Sequence, residues 1–92
     1  MTASFYVDAL RFHRRAGSCR SGEWCHLATD GAIEELHAFA ATIGVPRMAF
    51  HFHPAHPHYD LTPSKRAVAV AAGAREVTSK ELVRACFRKR PA

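Results

Sequence analysis

A histidine-dense segment, His51 to His58, contains the residue types in this chain that most readily support chemistry. Neutral imidazole binds zinc, copper, nickel and iron, and the carboxylate of Asp60 could add a ligand. A catalytic zinc ion needs three protein ligands and one open position, and His26 or Asp8 could supply the third ligand from another strand. The hypothesis of a divalent metal site, with zinc as an example, therefore comprises His58, Asp60, His26 and Asp8. The spacing of these residues matches no zinc-binding signature.

The earlier histidines of the segment have a simpler interpretation. His51 and His53 alternate with Phe50 and Phe52, which is the pattern of a half-buried strand. This alternation favours a solvent-facing role for both histidines, and His56 lies between prolines, in a predicted loop. We therefore expect a functional contribution from His58-Tyr59-Asp60 rather than from the rest of the segment.

A helix start follows directly after this segment. Thr62 is a suitable N-cap and Pro63 suits the first helical position. Lys65 and Arg66 fall in the first turn, where the helix dipole disfavours cations. An anion such as a phosphate, bound at the free N–H groups, would offset that cost. The alternative is that both side chains extend into solvent or pair with Asp60.

The elements that must position these residues follow from hydrophobic periodicity and capping signals. The pattern predicts an α/β fold, in which one domain over residues 1–92 has a mixed β-sheet of about four strands with three helices packed on it. The second helix has so little polarity that we expect it to be buried on most sides. The predicted elements are strands near Ser4–Leu10, Trp24–Ala28, Met48–His53 and Arg75–Thr78, helices from Thr29 or Asp30 to Gly44, from Thr62 to Gly73 and from Thr78 onward, a basic loop over 11–23, and a basic tail over 88–92.

Composition and charge limit the classes of binding partner and the cellular compartment that we expect. A hydrophobic content of 48% supports a folded core, and the net charge of +5 favours anionic partners such as nucleic acid or nucleotides. Three cysteines without regular spacing form a poor disulfide framework, so we expect thiols in a reducing cytoplasm. No apolar run approaches the length of a membrane span, so we expect no membrane partner. Cys25 and His26 are adjacent on a predicted strand and should face opposite sides, which argues against a catalytic dyad.

Short motifs spread along the chain form a recognisable set. They are Tyr6-Val7-Asp8, Trp24-Cys25-His26-Leu27, Glu35-Leu36-His37, Ile43-Gly44, Pro57-His58-Tyr59-Asp60-Leu61, Ser64-Lys65-Arg66 and Gly73-Ala74 before Glu76-Val77. Together they resemble a small bacterial and phage family known as domain of unknown function 4031. The resemblance covers nearly the whole chain, is most specific at His58-Tyr59-Asp60 followed by Lys65-Arg66, and implies no activity. His51, His53 and His56 lie outside the family pattern. The positions that the resemblance marks are Asp8, Cys25, His26, His37, Arg47, His58, Tyr59, Asp60, Lys65 and Arg66.

The sequence leaves three classes of function open. In the first, a cleft closed by the second helix binds a phosphate-bearing ligand, either a nucleotide or a nucleic acid. In the second, the same groups hold a divalent metal and hydrolyse a phosphoester in the manner of a nuclease. In the third, the polar residues form a non-catalytic protein interface. The ligand-binding candidates are His26, Arg47, His58, Tyr59, Asp60, Lys65 and Arg66.

Overall fold

The computed structural model describes residues 3–12 and 22–87, and this part of the chain contains six strands and three helices. The third helix continues into a π-helical turn, Val83–Phe87, and a 3-10 turn, Arg47–Ala49, precedes the fourth strand. The elements are β1 (Phe5–Val7), β2 (Arg11–Phe12), β3 (Glu23–Thr29), α1 (Ile33–Thr42), β4 (Phe50–His51), β5 (His58–Leu61), α2 (Pro63–Ala71), β6 (Arg75–Glu76) and α3 (Ser79–Leu82).

The sheet is mixed, as predicted, and has more strands than the four expected. Its order is β4-β5-β3-β1-β6, with β2 paired to β3 outside this path. β1 and β6 are parallel, and the other pairs are antiparallel. The additional strands are β2, whose two residues leave too little periodicity for a sequence pattern to indicate it, and β5, a four-residue strand that follows Pro54 and Pro57.

The hydrophobic core lies between one face of the sheet and the first two helices. Alternate residues of β1, β3 and β5 point toward this core, because successive side chains of a strand face opposite sides. The core residues from the sheet and helices include Val7, Cys25, Leu27, Leu36, Ala40, Tyr59, Leu61 and Ala69. The intervening strand residues face the other side of the sheet, on which α3 and its π-helical turn lie. Cys25 is buried and His26 faces away from it, as their adjacency predicted.

The capping signals of the second and third helices are confirmed. The hydroxyl of Thr62 accepts a hydrogen bond from Lys65 N at 3.3 Å. Thr78 and Glu81 form the reciprocal capping box, with Thr78 Oγ1 accepting from Glu81 N at 3.0 Å and Glu81 Oε1 accepting from Thr78 N at 2.9 Å. Gly44 follows the end of α1 with a φ of +77°, a conformation that suits glycine at this position.

The start of α1 differs from the prediction. Ala32, rather than Thr29 or Asp30, occupies the N-cap position, and Glu35 Oε1 accepts from its backbone N–H at 2.9 Å. Thr29 instead donates to the carbonyl of Ser4 at 2.8 Å, and Asp30 accepts from Ser4 N at 2.9 Å. Both predicted caps are thus used to hold the N-terminal strand.

Two predictions about burial are wrong. Met48 and Phe52 are 88% and 75% exposed, because only Phe50–His51 of the predicted strand pairs in the sheet and the 3-10 turn precedes it. The second helix is not buried on most sides, since it packs against the sheet along a single face. Ala69 is its buried residue, and Val68 is 44% exposed.

The predicted basic loop and tail fall largely beyond the described part of the chain. Arg11–Phe12 and Glu23, at the two ends of the predicted loop, belong to strands β2 and β3. The rest of that loop, 13–21, and the tail, 88–92, lie outside the described residues. None of the helices in the described ranges has the length and apolar character needed to cross a membrane.

Candidate metal centre

The pairing of three strands brings four polar side chains to the face of the sheet opposite the main core. His26 of β3 lies directly opposite Asp60 of β5, and His51 of β4 lies directly opposite His58 of β5. His58 and Asp60 are two apart on one strand, so they share this face. Directly opposed residues have Cβ atoms about 4.5–5.5 Å apart. The register alone therefore gathers these side chains into one cluster.

Three of these four side chains approach one another closely enough to share a metal ion. One ligand atom from each of His26, His58 and Asp60 lies within 4.8 Å of the others. His58 Nε2 is 3.4 Å from Asp60 Oδ1, and the imidazole rings of His26 and His58 meet edge to face with centroids 4.9 Å apart. Two imidazoles and one carboxylate form a common ligand set for catalytic zinc and for non-haem iron.

Hydrogen bonds at the far side of each imidazole fix its orientation. His58 Nδ1 lies 2.6 Å from the carbonyl oxygen of His56, which can only accept, so Nδ1 carries the proton. His26 Nδ1 donates to Asp8 Oδ2 at 2.8 Å. Both rings thereby keep Nε2 as the atom with a lone pair. A histidine whose second nitrogen donates to a carboxylate or a carbonyl is the usual arrangement around protein-bound metals.

Asp8 is the buried anchor of this arrangement. Its side chain is 2% exposed and accepts three hydrogen bonds, from His26 N at 2.7 Å, His26 Nδ1 at 2.8 Å and Ser79 Oγ at 2.9 Å. Arg66 Nε donates to the backbone carbonyl of Asp8 at 2.8 Å and so fixes the end of β1 from its other side. Asp8 therefore contacts the cluster through His26, and the ligand atoms that lie within 4.8 Å of one another belong to His26, His58 and Asp60.

Asp8 and His26 stabilise each other's charged forms. The hydrogen bond that His26 donates to Asp8 raises the pKa of His26 above its ordinary 6.5, although burial opposes the change. Burial alone would raise the pKa of the Asp8 carboxyl, but the bonds from His26 outweigh it and leave that pKa below 3.8. Asp8 is thus a carboxylate at neutral pH, which makes it a strong acceptor for the His26 Nδ1–H.

His51 is a member of the cluster that the sequence did not indicate. Its Nε2 lies 2.9 Å from Asp60 Oδ2, and its ring stacks on that of His58 with centroids 5.3 Å apart and planes 6° apart. The strand alternation correctly predicted that His51 is exposed, but exposure on this face also places it opposite His58. His53 follows β4 and instead packs its ring against that of His56 at 4.7 Å.

A cleft opens beside the cluster. It has a volume of about 260 Å³ and lies between the sheet and one face of α3 with its π-helical turn. Its polar end comprises Asp8, His26, His56, His58 and Ser79, and its apolar wall comprises Leu82, Val83 and Phe87.

Lys65 and Arg66 are directed at structural acceptors. Lys65 Nζ donates to the carbonyl of Ile43 at 3.1 Å, at the end of α1. Besides its bond to Asp8, Arg66 forms an ion pair with Glu76 at 3.2 Å. The first turn of α2 therefore uses both cations to hold neighbouring elements, and neither one is placed at the His26–His58–Asp60 cluster by these contacts.

Tyr59 faces the core on the opposite side of the sheet, and Arg47 is close enough for its positive charge to act on it. Tyr59 is buried in the core, and a 2.8 Å hydrogen bond joins its hydroxyl to His37 Nδ1 of α1. Burial lowers the pKa of His37, and the nearby positive charge of Arg47 adds to the effect. The cleft candidates of the sequence thus divide between two faces, with His26, His58 and Asp60 on one and Tyr59 and Arg47 on the other.

The family model described as "Protein of unknown function (DUF4031)" matches residues 5–89. The chain belongs to this family. The DUF4031 match extends over every residue of the cluster and the cleft, and confirms the resemblance drawn from the sequence. No curated protein and no solved structure matches the chain.

Proposed function

We propose that this DUF4031 protein is a metal-dependent hydrolase whose centre consists of His26, His58 and Asp60. The observation that carries the proposal is the convergence of these groups within 4.8 Å, with both imidazoles held at Nδ1. Three protein ligands leave a coordination position open, and a metal at such a site lowers the pKa of bound water to about 7. The residues thus suit the production of a nucleophile at neutral pH.

The charges around the centre favour an anionic substrate. The charge of a divalent metal would exceed the single negative charge of Asp60, and the carboxylate of Asp8 is 2% exposed and lies behind His26. Arg11 of β2 lies close enough for its positive charge to lower the pKa of His26, in opposition to Asp8. A cation at the edge of a metal site stabilises negative charge that develops in a hydrolytic transition state. These features support the phosphoester hydrolase alternative over simple phosphate binding at the start of α2, because Lys65 and Arg66 bind other groups of the protein there.

Titration of Zn²⁺ into untagged, metal-stripped protein tests the centre by calorimetry. We expect one bound ion per chain, and a loss of at least tenfold in affinity for His58→Ala and for Asp60→Asn, since each removes one of three ligands. His53→Ala is the matched control, because His53 is an exposed histidine of the same segment with its ring directed at His56. Equal Zn²⁺ affinities for His58→Ala and His53→Ala would refute the assignment.

The hydrolytic step is tested with the zinc-loaded protein and 4-nitrophenyl phosphate, bis(4-nitrophenyl) phosphate and 4-nitrophenyl acetate. We expect turnover of at least one phosphoester that is absent from the metal-stripped protein and from His58→Ala. A protein that binds Zn²⁺ stoichiometrically and turns over none of these compounds would overturn the proposed activity while leaving the metal site intact.

A further inference from the structure

The wall of the cleft opposite the ligand cluster is apolar. Ser79, Leu82, Val83 and Phe87 line it. Their spacing of three and four residues places them along one face of α3 and the π-helical turn that continues it. Ser79 is the polar exception, and its hydroxyl is used by Asp8. Beyond Ser79, this face thus presents hydrocarbon to the space in front of the histidines.

The aromatic ring of Phe87 stands next to the metal-ligand candidates. Its centroid is 5.2 Å from that of His56 and 6.5 Å from that of His58, and it meets both rings at steep angles. His58 and Phe87 line the same cleft, so a group bound next to His58 would have this ring beside it. Val83, which is 47% exposed, lies one helical turn before Phe87 and borders the same space.

The size of the cleft limits what it can hold. Its volume of about 260 Å³ is slightly below the range of about 300–1,000 Å³ that is usual for drug-sized ligands. Pockets of this kind bind through a few placed polar groups and a larger apolar surface. A polymer such as a nucleic-acid strand would need an extended basic groove, and the residues that line this cleft within the described ranges, 3–12 and 22–87, include no lysine or arginine.

From these observations we infer that the cleft takes a small substrate whose oxyanion head, phosphoryl or carboxyl, is carried on an apolar body. The head binds at the His26–His58–Asp60 centre, and the body lies against Val83 and Phe87. This inference rests on the proposed metal centre and adds the chemical class of the substrate to it.

The probes are phenylphosphonate and methylphosphonate, which share one oxyanion head and cannot be hydrolysed at the P–C bond. Binding of each to the zinc-loaded protein is measured by calorimetry. We expect phenylphosphonate to bind about tenfold more tightly, because its ring removes apolar area from water. Val83→Ser and Phe87→Ala should each reduce this preference severalfold, while the affinities for methylphosphonate and for Zn²⁺ remain unchanged.

Val68→Ser is the matched control, since Val68 is a valine of similar exposure, 44%, on α2 and outside the cleft. It should leave the tenfold preference unchanged. Normal Zn²⁺ binding with equal affinity for the two phosphonates would overturn the inference and leave the proposed centre standing. Failure to bind Zn²⁺ would overturn both. A preference that Val68→Ser lowers as much as Val83→Ser would also overturn it, because the apolar contact would then lie elsewhere.

Discussion

Asp8→Asn is the substitution that most directly tests how the candidate centre is organised. The change is nearly isosteric and leaves all three proposed ligands in place. An amide, however, has one accepting oxygen and one donating nitrogen, whereas both carboxylate oxygens of Asp8 accept. With the amide nitrogen at the position of Oδ1, two donors would face each other at His26 N, where the present bond is 2.7 Å long.

The amide nitrogen of the variant therefore takes the position of Oδ2, next to His26 Nδ1. His26 Nδ1 must then accept, and its proton moves to Nε2, the atom needed for the metal. Loss of such a second partner usually costs 10–100-fold in metal affinity. That range corresponds to about 1.4–2.7 kcal/mol, which agrees with about 1.5–3 kcal/mol for one hydrogen bond to a charged group. We expect the Zn²⁺ affinity of Asp8→Asn to fall within this range.

Two measurements check the argument. Calorimetric titration gives the Zn²⁺ affinity, and long-range proton–nitrogen NMR correlations of the metal-free protein report which nitrogen of His26 carries the proton. Ser79→Ala is the control, because it removes a bond to the same Asp8 oxygen and leaves both contacts with His26. Wild-type affinity in Asp8→Asn together with an unchanged His26 tautomer would refute the reasoning.

Two further predictions concern the stability of the metal-free protein. Gly44→Ala should lower the free energy of unfolding, measured in urea, by about 1–2 kcal/mol. The reasons are that φ is +77° at this position and that the new Cβ would lie 2.9 Å from Lys65 Nζ, which caps the end of α1. An unchanged unfolding midpoint would contradict this prediction. The Asp8–His26 pair should stabilise the fold most between pH 3.8 and pH 6.5, the ordinary pKa values of the two groups. The Asp8 contribution is present above pH 3.8 and is lost as pH falls through its lowered pKa, and the His26 contribution is complete below pH 6.5 and is lost as pH rises through its raised pKa. The difference in melting temperature between wild type and Asp8→Asn, followed across pH, should be largest in that window, and a flat difference would count against the pair.

Local signals in the sequence identified the parts of the fold that depend on neighbouring residues. The cap at Thr62, the capping box at Thr78 and the helix stop at Gly44 are each defined by a few consecutive residues, and all three are present. β4 pairs with β5 and β6 pairs with β1 over two residues each. The sequence predicted a longer strand at both places, and only the pairing in the assembled sheet sets where each strand begins and ends.

The candidate site likewise has a part that the sequence indicated and a part that depends on the assembled sheet. His26, His58 and Asp60, with Asp8 behind them, were named from residue type, and the structure places them together. The partnership of His51 with Asp60 could not be read from the sequence, because it requires the β4–β5 register.

The contacts of Lys65 and Arg66, the two cations at the start of α2, could not be predicted from the sequence either. Lys65 binds at the end of α1, and Arg66 binds at the end of β1. Charge at a helix start indicates an anion nearby, but a backbone carbonyl of another element can meet the same need. Only the packing of the helices decides whether such a cation meets a bound anion or a backbone carbonyl.

The interior position of β3 in the sheet protects the part of the candidate centre that it carries from local opening. β3 is paired with β1, β2 and β5, whereas β4 is a two-residue strand at the edge. Backbone amides of interior strands exchange with solvent only in large opening events, whereas edges exchange through local fraying. We therefore expect the amides of β4, which carries His51, to exchange faster than those of β3, which carries His26. Local opening of β4 would remove the contacts of His51 with Asp60 and His58 and leave His26 in the paired sheet.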